Sequence, residues 1–203
     1  HSFPTRRSSD LGMNVSASVF AADPLNIEKD LSSVIDDVES LHFDVMDGSY
    51  ANVYGLNVRL FNRLKQITKK PIDVHLMVQN PSFWAKQFAQ LGARWVAFHP
   101  EVCEEPEKIV EIIRMNGSLA YVALAVDIKP DAYEDLIQSA DGVLILSAPA
   151  GGGDFSVAAL SKADKVPNSI PIAYDGKISP EVFHLLRNEK KDIAIMGQAI
   201  WGI

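Results

Sequence analysis

The sequence predicts an α/β protein, a minimal (β/α)8 TIM barrel, and three observations carry this prediction. Of its 203 residues, 47% are hydrophobic and 22% are charged, which is typical of a globular chain with one large core. Eight short apolar runs, each four to eight residues long, have the composition of strands that are buried on both faces. Longer amphipathic stretches separate these runs, and this alternation favours a barrel over an open sheet.

The eight predicted strands are rich in Val, Ile, Leu and aromatic residues, with few polar residues at their centres. In chain order they are Asn14–Phe20, Leu41–Met46, Ile72–Val78, Trp95–His99, Leu119–Val126, Gly142–Ser147, Ile170–Tyr174 and Ile193–Met196.

Seven predicted helices lie between these strands, and capping residues support several of their boundaries. They are Leu25–Val38, Val58–Ile67, Pro81–Leu91, Pro106–Met115, Ala132–Gln138, Val157–Lys165 and Pro180–Arg187. Asp23-Pro24, Asn80-Pro81 and Ser179-Pro180 each place a capping residue before a proline, a pattern typical of a first helical turn. Gly92 and Gly117 follow two helices, where a left-handed residue is common. No ordinary eighth helix is predicted, so we expect the last helix of the barrel to be missing.

The first 12 residues are expected to lie outside the barrel. Residues 1–11 are polar and irregular, and they read as an in-frame translation of a sequencing-library adaptor. We therefore expect residues 1–12 to be a non-native tail and residues 13–203 to form a single barrel domain that starts at Met13.

Charge and cysteine content exclude several classes of protein. With 19 Lys+Arg against 26 Asp+Glu the net charge is −7, so nucleic acid is not an expected partner. No apolar run approaches the roughly 18 to 20 residues that span a bilayer, so no membrane partner is expected. The single cysteine, Cys103, cannot form an intrachain disulfide and no secretory signal is present, which favours a cytoplasmic location.

Polar side chains come at the carboxyl ends of three predicted strands, where a TIM barrel places its chemistry. In strand two, period-two alternation puts His42, Asp44 and Met46 on one face. The same alternation in strand three groups His75 with Asp73 and Met77, and strand seven is followed by Asp175 and Gly176. Two imidazoles and two carboxylates are thus expected at one rim.

Burial of these four groups without partners would destabilise the fold by several kcal/mol. Each residue taken singly is more often a hydrogen-bonded core residue or a helix cap. Their arrival together favours a site for one divalent metal ion, because imidazole nitrogen and carboxylate oxygen suit Zn, Mn, Fe or Co.

These motifs resemble the ribulose-phosphate 3-epimerase family, from about Val15 to Gly202. The most specific motifs are His42-x-Asp44-x-Met46-Asp47-Gly48 and Asp73-Val74-His75-Leu76-Met77. Further matches are Ser16-Ala17-Ser18, His99-x-Glu101, Pro149-Ala150-Gly151-Gly152-Gly153, Asp175-Gly176 and Gly197-Gln198-Ala199-Ile200.

The resemblance implies an isomerase of the pentose phosphate pathway that epimerises C3 of a ketopentose 5-phosphate, converting ribulose 5-phosphate to xylulose 5-phosphate through an enediolate. It implies that His42, Asp44, His75 and Asp175 bind the metal. Asp44 and Asp175 would also be the two acid/base groups.

The resemblance further implies which residues contact the substrate, a small sugar phosphate, and it suggests a homo-oligomer. Ser18, His75, Met46 and Met77 would contact the sugar or line its cavity. Backbone N–H groups of six residues would bind the phosphate: Gly151, Gly152, Gly153, Gly176, Gly197 and Gln198.

Four departures from the family pattern bear on substrate identity. The segment Ser49–Gly55 is shorter than usual, and Lys177 replaces a second glycine. Ile145 or Leu146 stands where a third cavity methionine is expected, and Gln198 replaces a common serine.

Three other functions are considered for this chain, and the role of His99 is undecided from the sequence. The first two alternatives are a hexulose (allulose) 6-phosphate 3-epimerase and a catalytically silent sugar-phosphate binding protein or fragment. A sugar-phosphate decarboxylase is disfavoured, because Val78 stands where the last Asp of its motif would be. His99 would either add a polar group to the cavity mouth or only support strand four, and we favour the second role.

Overall fold

Eight parallel strands close into a barrel in the computed structural model, which describes residues 11–201. The strands neighbour one another in chain order, and the first also pairs with the last. Their bounds are β1 Asn14–Ser18, β2 Ser40–Met46, β3 Ile72–Met77, β4 Trp95–Phe98, β5 Leu119–Leu124, β6 Gly142–Leu146, β7 Ile172–Asp175 and β8 Ile193–Met196. The predicted TIM barrel is confirmed, and strand ends differ from the predicted ends by at most two residues.

Helices of two kinds surround the barrel. The α-helices are α1 Ile27–Ser32, α2 Val58–Ile67, α3 Pro81–Gln90, α4 Pro106–Met115, α5 Glu134–Ser139 and α6 Gln198–Trp201. Short 3-10 helices cover Val19–Ala21, Ile35–Asp37, Pro100–Val102, Pro130–Tyr133, Val157–Lys165 and Pro180–Leu185. Within residues 11–201, no helix has both the length and the apolar character that crossing a membrane requires.

The first predicted helix is shorter than expected. The chain forms α1 and a separate 3-10 turn instead of one helix over Leu25–Val38. The hydroxyls of Ser32 and Ser33 donate to the carbonyls of Glu28 and Asp30, and such side-chain bonds compete with regular helix continuation. After β8, α6 extends to the end of the described residues, and most of the expected tail, residues 1–10, lies outside them.

Side chains of the strands alternate between two apolar layers. Outward-facing residues pack under the helices, where Phe43 and Phe61 meet edge to face. Inward-facing residues fill the barrel, where the rings of Trp95 and Tyr121 stack with centroids 4.2 Å apart. Gly142 leaves room for this stack, since a Cβ there would lie 2.2 Å from the Tyr121 ring.

Two ion pairs lie at the amino ends of the strands. Arg94 Nε donates to Asp73 Oδ1 at 2.7 Å, and Arg187 Nε donates to Asp192 Oδ2 at 2.8 Å. Both carboxylates are fully buried, so each needs its guanidinium partner. Asp73 therefore belongs to this end of the barrel, and the opposite end is free for chemistry.

Candidate metal centre

The carboxyl ends of three strands bring four ionisable side chains to one point. His42 and Asp44 come from β2, His75 from β3 and Asp175 from the last position of β7. The β2–β3 register places Asp44 directly opposite His75. One ligand atom from each residue lies within 4.8 Å of the other three, so the cluster expected from the strand ends is present.

The distances inside this cluster are those of a small cation site. His42 Nε2 lies 3.1 Å from Asp44 Oδ1 and 3.4 Å from Asp175 Oδ2. His75 Nδ1 lies 3.6 Å and 3.3 Å from the same two oxygens. Ligands held about 2.1 Å from one ion are separated by about 3.0 Å in octahedral and 3.4 Å in tetrahedral geometry. These four separations are thus close to those of ligands that share one divalent metal ion.

Unsatisfied polar atoms point to the same conclusion. Within residues 11–201, His42 Nε2, Asp44 Oδ1 and His75 Nδ1 are buried, and none has an aligned hydrogen-bond partner. A buried polar atom left unpaired costs about 1–3 kcal/mol. Coordination to one cation would satisfy all three atoms, and their donor types suit Zn, Mn, Fe or Co.

The electrostatics of the cluster favour positive charge at its centre. Burial opposes protonation of His42, but the carboxylates of Asp44 and Asp175 outweigh burial and raise the His42 pKa to about 10. Burial favours the neutral form of both carboxyls, yet the two histidines lower the pKa of each. A proton and a metal ion therefore compete for the same nitrogen atoms.

A cavity of about 640 Å³ opens beside the cluster. Asp44 and Asp175 line this cavity, whereas His42 and His75 are fully buried behind them. The two carboxylates can therefore reach a molecule bound in the cavity, whereas the imidazoles do not line it.

Most residues expected to contact substrate also line the cavity. They are Ser18, Met46, Met77, Gly151, Gly152, Gly176, Gly197 and Gln198. Gly153 and His75, which were also expected to contact substrate, are not among the lining residues. A Cβ on Gly153 would lie 2.8 Å from the Pro149 ring. Of the two residues considered for the place of a third cavity methionine, Leu146 lines the cavity, whereas Ile145 faces the outer core.

The segment that follows β2 folds back onto that strand. Gly55 donates to the carbonyl of Met46 at 3.0 Å, and Leu56 donates to that of Asp44 at 2.8 Å. A Cβ on Gly55 would lie 2.6 Å from both Asp44 O and Met46 N. This close approach fixes the backbone that carries Asp44.

Three residues beside the cluster make contacts that sequence reasoning missed. His99 Nε2 lies 2.8 Å from His75 Nε2, and His99 Nδ1 lies 3.3 Å from Glu101 Oε1. The hydroxyl of Tyr50 donates to the same glutamate oxygen at 2.7 Å. Burial, together with the nearby His75, lowers the His99 pKa to about 4 in spite of Glu101.

His99 thus neither lines the cavity nor merely supports β4, since it touches a member of the cluster. The spacing His99-x-Glu101 was the available signal for this pair, whereas nothing in the sequence pointed to Tyr50.

Comparison with known proteins gives a consistent result. A model described as the Ribulose-phosphate 3 epimerase family matches residues 14–201. The ribulose-phosphate 3-epimerase of Helicobacter pylori strain J99 is 28% identical over 93% of this chain and 91% of its own length. That of Mycobacterium tuberculosis H37Rv is 28% identical over 94% of this chain and 87% of its own length.

Solved structures with the same architecture include a mutant tryptophan synthase α-subunit from Pyrococcus furiosus. It superposes with a TM-score of 0.68, at 14% identity, over 93% of this chain and 88% of that chain. At this identity the likeness concerns the fold alone.

Proposed function

This chain belongs to the ribulose-phosphate 3-epimerase family, and we propose that it interconverts ribulose 5-phosphate and xylulose 5-phosphate by inverting C3. The observation that carries the proposal is the pair of carboxylates, Asp44 and Asp175, that line one cavity and share one candidate metal cluster. They come from β2 and β7, which β1 and β8 separate in the barrel order.

Inversion of a carbon centre needs one group to remove the proton and another to return a proton from the opposite face. In our proposal Asp44 and Asp175 are these groups, one starting as a carboxylate and the other as the acid. Removal of the C3 proton gives an enediolate, and reprotonation on the other face gives the epimer. Because both groups serve as acid and base in turn, the same pair runs the reaction in either direction.

The four ligands would hold one divalent cation next to the sugar. When bound, the cation supplies Lewis-acid stabilisation of the negative charge that develops on the C2 oxygen. The protein orients the carboxylates of Asp44 and Asp175 around the reacting part of the sugar. Ser18 supports this arrangement, since its hydroxyl lies 3.4 Å from Asp44 Oδ2 and donates to it.

The cavity walls suit a sugar phosphate. Met46, Met77 and Leu146 supply an apolar wall beside the carboxylates, and none of them can exchange a proton with the intermediate. The phosphate would bind backbone N–H groups of other cavity-lining residues, namely Gly151, Gly152, Gly176, Gly197 and Gln198. A volume of about 640 Å³ lies within the range of small-ligand sites.

The direct test is turnover of ribulose 5-phosphate by metal-loaded protein, followed by NMR of the xylulose product. Asp44→Asn and Asp175→Asn should each lower kcat by about 10² to 10⁴, the usual contribution of a general acid or base. Asp131→Asn, at an exposed carboxylate, is the matched control and should leave kcat unchanged. Near-normal turnover by either site variant would remove that residue as an essential proton carrier.

A parallel assay with allulose 6-phosphate distinguishes a ribulose 5-phosphate epimerase from a hexulose 6-phosphate epimerase. Faster epimerisation of this hexulose phosphate would reassign the substrate while leaving the chemistry intact. Binding of ribulose 5-phosphate without turnover would instead favour a catalytically silent sugar-phosphate binding protein.

A further inference from the structure

We propose that Tyr50, Glu101 and His99 are positioning residues that hold His75 in the one tautomer and orientation able to bind a metal ion. This inference rests on the proposed metal site. It concerns three side chains that do not line the substrate cavity among the described residues.

The first contact, between His75 and His99, determines which nitrogen of His75 carries the proton. A neutral imidazole carries one N–H, so His75 can present the lone pair of Nδ1 to a metal only when its proton is on Nε2. That Nε2 lies 2.8 Å from His99 Nε2 and is aligned with it as a hydrogen bond. His75 must then donate, and His99 must accept.

The second link follows from the first. If His99 accepts at Nε2, its own proton is on Nδ1, which faces Glu101 Oε1 at 3.3 Å. This contact is the weakest of the three, because it is long and does not meet the alignment of a hydrogen bond. A carboxylate only accepts, so Glu101 cannot support the opposite tautomer of His99.

The third link holds the carboxylate in place. Tyr50 donates its hydroxyl proton to Glu101 Oε1 at 2.7 Å, and its ring lies over His99 with centroids 4.7 Å apart. The Glu101 side chain is 23% exposed, so without Tyr50 it would be free to turn toward solvent. Each contact in the sequence His75–His99–Glu101–Tyr50 therefore joins one donor to one acceptor, with Glu101 accepting from His99 on one side and from Tyr50 on the other.

The other imidazole of the cluster has no such support. His42 Nδ1 is buried and finds no hydrogen-bond partner within residues 11–201. Partners on the far nitrogen of a metal-binding histidine fix its tautomer, and their loss typically weakens metal binding about 10–100-fold. The asymmetry indicates that metal affinity depends on the support of His75 in particular.

The test measures metal binding without substrate, using Co²⁺, whose visible absorption reports ligand geometry. Glu101→Ala should raise the Co²⁺ dissociation constant about 10–100-fold. Glu101→Gln keeps an acceptor oxygen and should recover most of the loss. Tyr50→Phe keeps the stacked ring and removes one hydrogen bond, so it should raise the constant by about 2–5-fold. Glu104→Ala and Tyr54→Phe, at exposed positions nearby, are the matched controls and should bind Co²⁺ as the parent protein does.

A second readout separates positioning from general support of the fold. With ¹⁵N-labelled histidine, NMR of the native protein should show His99 protonated at Nδ1, and Glu101→Ala should show a mixture of tautomers. A folded Glu101→Ala variant with native Co²⁺ affinity and an unchanged His99 tautomer would overturn the proposal. If Glu101→Ala does not fold, Tyr50→Phe is the deciding variant, because it removes only a single oxygen atom. A native Co²⁺ dissociation constant and a native His99 tautomer in Tyr50→Phe would equally overturn the proposal.

These outcomes are distinct from failure of the proposed function. If the native protein binds no divalent ion, the metal site itself is wrong and this inference falls with it. If the native protein binds Co²⁺ and epimerises its substrate while all variants behave alike, only the positioning role is wrong.

Discussion

At the scale of single residues, the candidate site consists of ionisable groups that are stable only together. His42 and His75 are fully buried, and Asp44 is 7% exposed. Removal of one member of such a buried charged set leaves the others uncompensated, which typically destabilises a protein by about 3–5 kcal/mol. Substitutions at the cluster should therefore be interpreted only alongside a measurement of folding.

The alternation of side chains along β2 and β3 was enough to predict from the sequence that His42, Asp44 and His75 lie at the same rim of the barrel. The contact between His75 and His99 could not be predicted in this way. The β3–β4 register pairs His75 with Ala97, so His99 lies beyond its direct neighbour and reaches it only diagonally. Such a contact depends on barrel twist and side-chain rotamers, which a single sequence does not specify.

Lys177 is expected to lower the stability of the fold and to strengthen phosphate binding, and both effects can be tested. It lines the cavity and adopts φ +56°, a left-handed conformation that disfavours any residue with a Cβ. Lys177→Gly should therefore raise the free energy of unfolding by about 0.5–1 kcal/mol, measured by urea denaturation.

The same substitution removes a positive charge from the proposed phosphate side of the cavity. It should weaken inhibition by inorganic phosphate by up to about fivefold, the usual limit for an exposed ion pair. Lys177→Arg keeps both the charge and the strain, so neither quantity should change. Loss of stability in Lys177→Gly, with unchanged phosphate inhibition, would contradict both parts of this interpretation.

At the scale of elements, the position of Asp44 depends on the segment that returns to β2 after Gly48. The sequence showed that Ser49–Gly55 is unusually short, but it did not show that Gly55 contacts the strand backbone. That contact joins residues nine to eleven positions apart through a turn whose path depends on tertiary packing.

Gly55→Ala tests this contact. The added Cβ would lie 2.6 Å from two backbone atoms of β2, so the strand or the loop must move. We expect destabilisation by about 1–3 kcal/mol together with weaker Co²⁺ binding, because Asp44 moves with its strand. Measurements of urea denaturation and Co²⁺ affinity check the two effects.

Gly117→Ala is the matched control, since φ there is +97° and the added Cβ would have no non-neighbouring atom of residues 11–201 within 4 Å. It should lower stability through backbone strain alone and leave Co²⁺ affinity unchanged. Equal effects of the two substitutions on metal binding would contradict the role given to the loop.

The type and the ends of the helices were less predictable from the sequence than the strands, because local side-chain hydrogen bonds influence them. Amphipathic periodicity located a helical segment in each of the seven connections between strands, but it did not distinguish an α-helix from the 3-10 geometry of Val157–Lys165 or Pro180–Leu185. Both geometries bury one apolar face, and side-chain bonds such as those of Ser32 and Ser33 decide where a helix stops.

At the scale of the whole molecule, barrel closure unites residues that are far apart in sequence. Asp44 and Asp175 meet because β1 pairs with β8, a contact between the two ends of the described chain. The count of eight apolar runs was sufficient to predict closure, since strands buried on both faces need helices outside and a partner at each edge. The expected homo-oligomer stays a prediction that light scattering would check.

Metal removal should destabilise the whole barrel. A ligand that binds only the folded state at 100 times its dissociation constant stabilises it by about 2.7 kcal/mol. For a chain of this size that corresponds to about 5–10 °C in Tm. Calorimetry should show this loss after chelation and recovery on addition of Mn²⁺ or Zn²⁺, whereas an unchanged Tm in protein shown by elemental analysis to be metal-free would contradict the site.

The most direct test of the account is exchange of the C3 proton, followed by NMR in D₂O with metal-loaded protein and ribulose 5-phosphate. We predict that deuterium enters C3 as xylulose 5-phosphate forms, and that Asp44→Asn and Asp175→Asn each slow formation of the epimer by about 10² to 10⁴. A folded, metal-loaded protein that exchanges no proton at C3 of either ribulose 5-phosphate or allulose 6-phosphate would contradict it.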